Sequence, residues 1–325
     1  MPHAIRFHKT GGPEVLQWEE VAVGDPAPGE ARVAHKAIGL NFIETYHRSG
    51  LYPLPLPSGL GTEAAGVVEA VGPNVTDVKA GDRVAYCGGP LGAYAEKRNM
   101  PADKLVKLPD GISFEQGASM MLQGLTVQYL LRRLLIVPKP GDTILWQAAA
   151  GGVGLIACQW AKALGINLIG TVSSEEKAEL ARAHGAAHTI NYSKEDFVKR
   201  VEEITGGKKC PVVYDSVGKD TFMKSLDCVQ TRGLLCLFGN ASGPVDALNT
   251  GLLAAKGSLS VTRPTLASFT AKREDLLASA KELFDHVLGG RIKVGPRQSY
   301  ALKDAAQAHR DLEARKTTGS TILVP

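Results

Sequence analysis

Ala148-Ala-Ala-Gly-Gly-Val-Gly154 is the stretch on which the fold turns. An apolar run, TILW (143–146), leads into it, and a helix-forming run, LIACQWAKALG (155–165), leads out. Aligned as a phosphate-binding turn it reads Ala149-x-Gly151-x-x-Gly154. Gly151 lets a backbone approach a pyrophosphate, and Gly154 lets the helix pack close to the strand. The helix N-terminus then offers free N–H groups and its positive dipole end to the phosphates. Alanine at the first position breaks the strict pattern. A ligand-free tight turn is the alternative, but its place between strand and helix favours a dinucleotide.

Working outward, the chain from Asp142 alternates apolar strands with amphipathic helices. Strands are expected at 143–150, 166–173, 186–192, 211–218 and 234–240. Helices are expected at 152–165, 175–185, 194–207 and 220–233. Successive βα units of this length build a doubly wound parallel sheet. The first 120 residues or so instead show short apolar runs, Ala31–Ile38, Gly66–Val71 and Arg83–Tyr86, between Pro- and Gly-rich connectors. Alternate prolines in YPLPLP (52–57) make an extended loop. Helices are expected over Phe114–Met121 and Gly124–Ile136. The tail predicts helices over Lys272–Leu288 and Lys303–Arg315, then a strand, Ser320–Val324, returning to the N-terminal β domain.

The strand after the glycine turn selects the dinucleotide. An NAD site places Asp or Glu at its C-terminal end. Here that end reads Gly170-Thr-Val-Ser-Ser174, with Lys177 one turn later. Two hydroxyls and a positive charge suit a 2′-phosphate. Tyr192, at the end of the next strand, can add its hydroxyl. Ser173, Ser174, Lys177 and Tyr192 are therefore candidates for binding NADPH.

The 325 residues allow about two domains and a large core without disulfides. With 44% hydrophobic and 22% charged residues, the chain is neither disordered nor collagen-like. A net charge of +4 without single-sign blocks argues against a nucleic-acid tail or membrane-binding stripe. No apolar run suits a bilayer span, and MPHAIRFHKTGG lacks a secretory h-region. Five scattered cysteines make the cytoplasm the expected location.

Longer motifs point to a family. They are GLNFIETYHRSGLYP (39–53), PSGLGTEAAGVVEAVG (57–72), KAGDRVAY (79–86), LGAYAEKR (91–98), GLTVQYLL (124–131), AAAGGVGLIACQWAKALG (148–165), VVYDSVG (212–218), LFGNASG (237–243) and GSTILVP (319–325). Over essentially its whole length the chain resembles the zinc-independent, zeta-crystallin-like quinone oxidoreductases of the medium-chain dehydrogenase/reductase superfamily. The resemblance implies an α/β protein: a GroES-like domain (1–124 and 266–325) for substrate and catalysis, and a Rossmann domain (125–265) for NADPH. Zinc-dependent relatives have Gly-His-Glu where this chain has Gly61-Thr62-Glu63, and a cysteine near the position of Asn41. No metal is expected, since zinc needs three such ligands. His3, His8, His35 and His47 are read as surface or hydrogen-bonding residues.

The resemblance implies reduction of quinones or other conjugated carbonyls by hydride, or net one-electron, transfer. Asn41 would meet the nicotinamide end. Tyr46 and Tyr52 would wall the substrate pocket. Gln123 and Thr126 would lie at a hinge and touch ligand. Gly151, Gly152 and Val153 would offer N–H groups to the diphosphate. Ser216, Phe238 and Asn240 would line the cofactor side, and Arg263 and Arg315 would supply charge. A homodimer or tetramer through the 234–264 edge is implied. The alternatives are an enone or alkenal reductase, or an NADPH-binding protein with a structural or RNA-binding role. A pI of 8.7 makes nucleic acid only a secondary expectation.

Overall fold

The computed structural model describes residues 1–325, which divide into two compact bodies. The first comprises Met1–Leu125, Thr270–Leu288 and Val294–Pro325, and the second Thr126–Phe269 and Gly289–Lys293.

The first body is organised by the long strand Glu30–Leu40. Its first half alternates buried and solvent-facing residues, as a sheet with one wet face should. From Ala37 to Leu40 every residue is buried, so the strand drives into the interior as it approaches Asn41. It pairs antiparallel with Glu63–Val71, Lys97–Pro101 and the C-terminal strand Ser320–Val324. The last pairing sets Ile322 opposite Gly39 and Thr321 opposite Leu40. Phe7, Val33, Ile38, Leu60, Val84, Tyr86 and Leu323 fill the core on this sheet.

Phe114–Arg132 is one helix of 19 residues, where the sequence predicts two. A capping box starts it: Gln116 N–H donates to Ser113 Oγ, and Ser113 N–H to Gln116 Oε1. Gly124 does not break it. A Cβ there would stand 2.6 Å from Leu283 Cδ2, so this glycine admits the helix Arg273–Leu288 rather than making a turn. The boundary between the bodies falls inside this helix, between Leu125 and Thr126.

The second body contains β1 (Thr143–Trp146), α1 (Gly152–Ala163), β2 (Asn167–Val172), α2 (Glu175–Ala183), β3 (His188–Asn191), α3 (Phe197–Thr205), β4 (Cys210–Asp215), α4 (Phe222–Asp227), β5 (Val229–Leu237), α5 (Gly251–Ala255) and β6 (Ser260–Thr262). The strands are all parallel in the order β3-β2-β1-β4-β5-β6, the Rossmann arrangement. Leu145, Ile169, Val213 and Leu235 are buried from four adjacent strands. One boundary differs from expectation. The helix predicted over 220–233 ends at Asp227, and β5 begins at Val229. Cys210 N–H donates to Cys228 O, and Val229 pairs with Cys210, so sheet hydrogen bonds claim this segment. The strand then bends at Arg232, whose φ is +62°.

Candidate active site

In the second body the candidate residues sit at the C-terminal ends of the parallel strands, where ligands of such sheets bind. The turn after β1 is held by Thr171 of β2. Ala148 N–H donates to Thr171 Oγ1 (3.2 Å) and Ala149 N–H to Thr171 O (3.0 Å). Gly151 N–H donates back to Ala148 O (3.1 Å), so it stabilises the turn. Leu155 N–H to Gly151 O is the first bond of α1. The N–H groups of Gly152, Val153 and Gly154 therefore precede the helical ladder and face its open end. A Cβ at Gly154 would stand 2.5 Å from Ala149 O, whereas one at Gly151 would meet only Ala148 O, at 3.4 Å. Gly154 is needed for packing, and Gly151 leaves open space for a ligand.

At the end of β2, Lys177 Nζ donates to Ser173 Oγ (3.3 Å), and Lys177 N–H to the N-cap Ser174 Oγ (3.3 Å). Of the two acidic neighbours, one is drawn away from this group and the other is bonded within it. Glu175 pairs with Arg182 at 2.6 Å. Glu176 is held below the ordinary carboxylate range, first by a hydrogen bond from Ser174. Tyr192 N–H donates to Val172 O, which puts this half-exposed tyrosine beside the same strand end. These four residues gather in one place.

Beyond β4 and β5 two loops lie side by side. Ala241 N–H donates to Ser216 O, and a Cβ at Gly239 would stand 2.4 Å from that same oxygen. The Phe238 ring packs 5.5 Å from Trp146, and Asn240 O accepts from Gly243 N–H. The buried carboxylate of Asp215 organises this edge. It accepts from Val217 N–H, Gly218 N–H, Thr221 Oγ1 and Ser225 Oγ. Asp215 and Thr171 escape motif reading because they serve loops rather than ligands. Arg263 is exposed just past β6.

In the first body, Asn41 follows the buried end of Glu30–Leu40 and is itself buried. Its N–H donates to Glu44 Oε2 (2.6 Å), and its Nδ2 to Glu63 Oε2 (2.7 Å). Gln123 Nε2 donates to Asn41 Oδ1 (3.2 Å). Glu44 and Glu63 are fully buried carboxyls. Burial raises Glu44 to about 7, against the hydrogen bond from Thr62. Burial raises Glu63 to about 8, opposed by the bond from Asn41 and reinforced by the charge of Glu44. Neither carboxyl is singled out by the sequence motifs. The spacing Asn41-x-x-Glu44 at a helix start was the available signal.

Tyr46 lies on the helix Ile43–Ser49, with its ring 5.2 Å from that of Tyr52. Phe42 and His47 extend this aromatic group at 5.6 and 5.9 Å. Gln123 and Thr126 stand inside the single Phe114–Arg132 helix, one on each side of the division between Leu125 and Thr126. Arg315 is exposed in the first body, just past the helix Ala305–Glu313, with φ +59°. Its N–H donates to Leu312 O, closing that helix end.

The residues do not fit a zinc centre. Thr62 donates its hydroxyl to Glu44 Oε1 (2.9 Å), and no three His, Cys, Asp or Glu side chains converge as ligands. His35 is buried with its ring between Ala95 O and the Tyr86 hydroxyl.

Residues 27–110 match the alcohol dehydrogenase GroES-like domain, and residues 152–282 the zinc-binding dehydrogenase domain. A quinone oxidoreductase of Pseudomonas aeruginosa is 61% identical, with both chains fully covered. A 2-haloacrylate reductase of a Burkholderia species is 48% identical over 100% of this chain and 99% of its own. The crystal structure of Escherichia coli quinone oxidoreductase complexed with NADPH superimposes with a TM-score of 0.97. It is 57% identical and covers 99% of this chain and 100% of its own.

Proposed function

The chain belongs to the quinone oxidoreductases of the medium-chain dehydrogenase/reductase superfamily, and from that membership we propose that it reduces quinones with NADPH, without a metal. The glycine turn with its neighbouring Lys177–Ser173 pair carries the reading. Its unspent N–H groups suit a diphosphate, and the lysine and two serine hydroxyls suit a 2′-phosphate.

NADPH supplies the hydride when bound. Gly152 and Val153, with Gly151 giving clearance, hold the diphosphate. Ser173, Ser174, Lys177 and Tyr192 hold the adenosine phosphate. Ser216, Phe238, Asn240 and Thr126 shape the cofactor's bed, and Arg263 and Arg315 add charge. Asn41 and Gln123 orient the nicotinamide end. Tyr46 and Tyr52 wall the acceptor and offer hydroxyl donors to the oxygen on which charge develops. Quinones need no Lewis acid because the added charge delocalises over the ring. In this reading residues 1–124 and 266–325 serve the substrate, and 125–265 the cofactor.

NADPH oxidation followed at 340 nm with 1,4-benzoquinone tests the proposal. Turnover supports it. Tight NADPH binding without turnover on any quinone would leave a binding protein instead. The 2-haloacrylate reductase relative favours one second reading, reduction of an activated alkene, and an enone and acrylate panel separates the two. We further propose a homodimer formed through residues 234–264, which end in β6, one of the two edge strands of the second body's sheet. We also propose a cytoplasmic setting, which suits five cysteines that are all free and buried. Sedimentation and fractionation test these two points.

A further inference from the structure

A chain of buried side chains crosses the first body from Glu63 to the C-terminal strand. Leu122 N–H donates to Glu63 Oε1 (2.8 Å), which commits that oxygen as an acceptor. Glu63 Oε2 lies 2.7 Å from Asn41 Nδ2, Asn41 Oδ1 lies 3.2 Å from Gln123 Nε2, and Gln123 Oε1 lies 2.6 Å from Ser320 Oγ. All four residues are buried. Gly39 makes the room: a Cβ there would stand 2.2 Å from Glu63 Oε2 and 2.5 Å from Ala118 O.

A primary amide has one donor end and one acceptor end, so each amide in the chain dictates the orientation of the next. With Oε2 accepting, Asn41 turns its NH2 to Glu63 and its carbonyl to Gln123. Gln123 then turns its carbonyl to Ser320, whose hydroxyl donates. With a proton on Oε2, the acid donates to the Asn41 carbonyl and both amides turn over. Gln123 then donates its NH2 to Ser320 Oγ, and the serine hydrogen needs a different acceptor. Ser119 O, 3.0 Å from Ser320 Oγ, is in place for it. Both directions are hydrogen-bonded throughout. They differ in which edge of the Asn41 amide keeps its spare N–H and which its spare lone pair.

We propose that Glu63 is the positioning residue for Asn41, that its proton selects which way the Asn41 amide faces, and that Ser320 closes the relay in either direction. The consequence for hydride transfer rests on the reading of Asn41 as a nicotinamide contact. The ionisable groups around Glu63 come from three sources. Glu44, on the helix Ile43–Ser49, holds Asn41 N–H, and its charge raises Glu63. Cys87 pairs with Glu63 across the ladder, and Tyr86 stands beside it on the same strand. Tyr94 also feels both carboxyls. Ala118–Gln123 and Ser320 carry no ionisable side chain. Burial moves the Cys87 thiol and Tyr94 well up and Tyr86 to about 12, leaving the two carboxyls to change charge near neutral pH.

The test begins on ligand-free protein labelled with 15N at asparagine side chains. The Asn41 NH2 pair is assigned by its loss in Asn41→Asp. In the wild type it should shift in one step as Glu63 ionises, and Glu63→Gln should abolish the step. A pH-independent signal in the wild type, or an unchanged step in Glu63→Gln, overturns the proposal. A second measurement avoids altering the carboxyl. Ser320→Ala should weaken NADPH binding about three- to tenfold, the scale of one hydrogen bond, and Ser320→Thr should restore it. The loss should vanish in an Asn41→Ala background, and equal loss in both backgrounds overturns the relay. If Asn41→Ala leaves NADPH affinity intact, the nicotinamide assignment fails, and the amide titration still judges the relay.

Discussion

Ala149 fills the room that Gly170 leaves: a Cβ at residue 170 would stand 2.5 Å from the Ala149 methyl carbon. The missing first glycine of the turn is thus offset on the neighbouring strand. Gly170→Ala should overpack β1 against β2 and destabilise the protein by about 1–3 kcal/mol. Adding Ala149→Gly should recover part of the loss. Urea denaturation of the single and double variants checks this, and additive losses would contradict the compensation.

Lys177→Glu should weaken NADPH far more than NADH, because only NADPH carries the 2′-phosphate. The lysine ammonium would give way to a carboxylate beside Ser173. Fluorescence titrations with both cofactors read the ratio. Equal losses would remove Lys177 from the phosphate site.

The buried carboxyls make a prediction about stability and pH. Glu63 and Glu44 bind their protons more tightly folded than unfolded. Their contribution is therefore fully favourable below the ordinary value of 4.5, falls as pH rises, and levels off above about 8. Glu63→Gln removes one of the two penalties. Its fall in Tm between pH 5 and pH 9, roughly the two sides of that window, should be smaller than the wild type's. An identical fall would show that Glu63 ionises as easily folded as unfolded.

Arg48 is the one buried guanidinium, 2% exposed, and it ties the helix Ile43–Ser49 to the helix Ala305–Glu313. It makes two bonds to Glu313, at 3.0 and 2.7 Å, and one to His309 Nδ1, at 3.0 Å. Arg48→Met should cost about 1–3 kcal/mol, since Glu313 can regain water. Burial is the larger reason that His309 is held down to about 3, and the Arg48 charge the smaller. The imidazole should therefore rise only partly in the variant, as an NMR titration would read.

Tyr52→Phe keeps the ring contact with Tyr46 and removes one hydroxyl. If that hydroxyl serves the developing oxyanion, kcat should fall about tenfold while NADPH affinity holds. An unchanged kcat would make Tyr52 a wall of the pocket only.

Much of this was legible along the chain because it is local. The glycine turn, the βα alternation and the closing strand 320–324 are each written in a dozen residues or fewer. Where reading failed, a distant partner overruled local pattern. Gly124 looks like a helix break until Leu283 is seen against it, and Val229–Gly233 looks helical until Cys210 pairs with it.

The sequence by itself determined the α/β class, the dinucleotide turn and the basic, hydroxyl-rich end of β2, because periodicity, glycine placement and charge are properties of neighbouring residues. Only the tertiary structure decided how Asn41 is held. Its partners are Glu44, Glu63 and Gln123, and behind them Ser320, which lies 279 residues further along the chain (320 minus 41). Glu44 lies three residues away, but no spacing rule links Asn41 to the other three. They meet because antiparallel pairing sets Ile322 opposite Gly39, and because buried polar groups must find their hydrogen-bond partners within the protein.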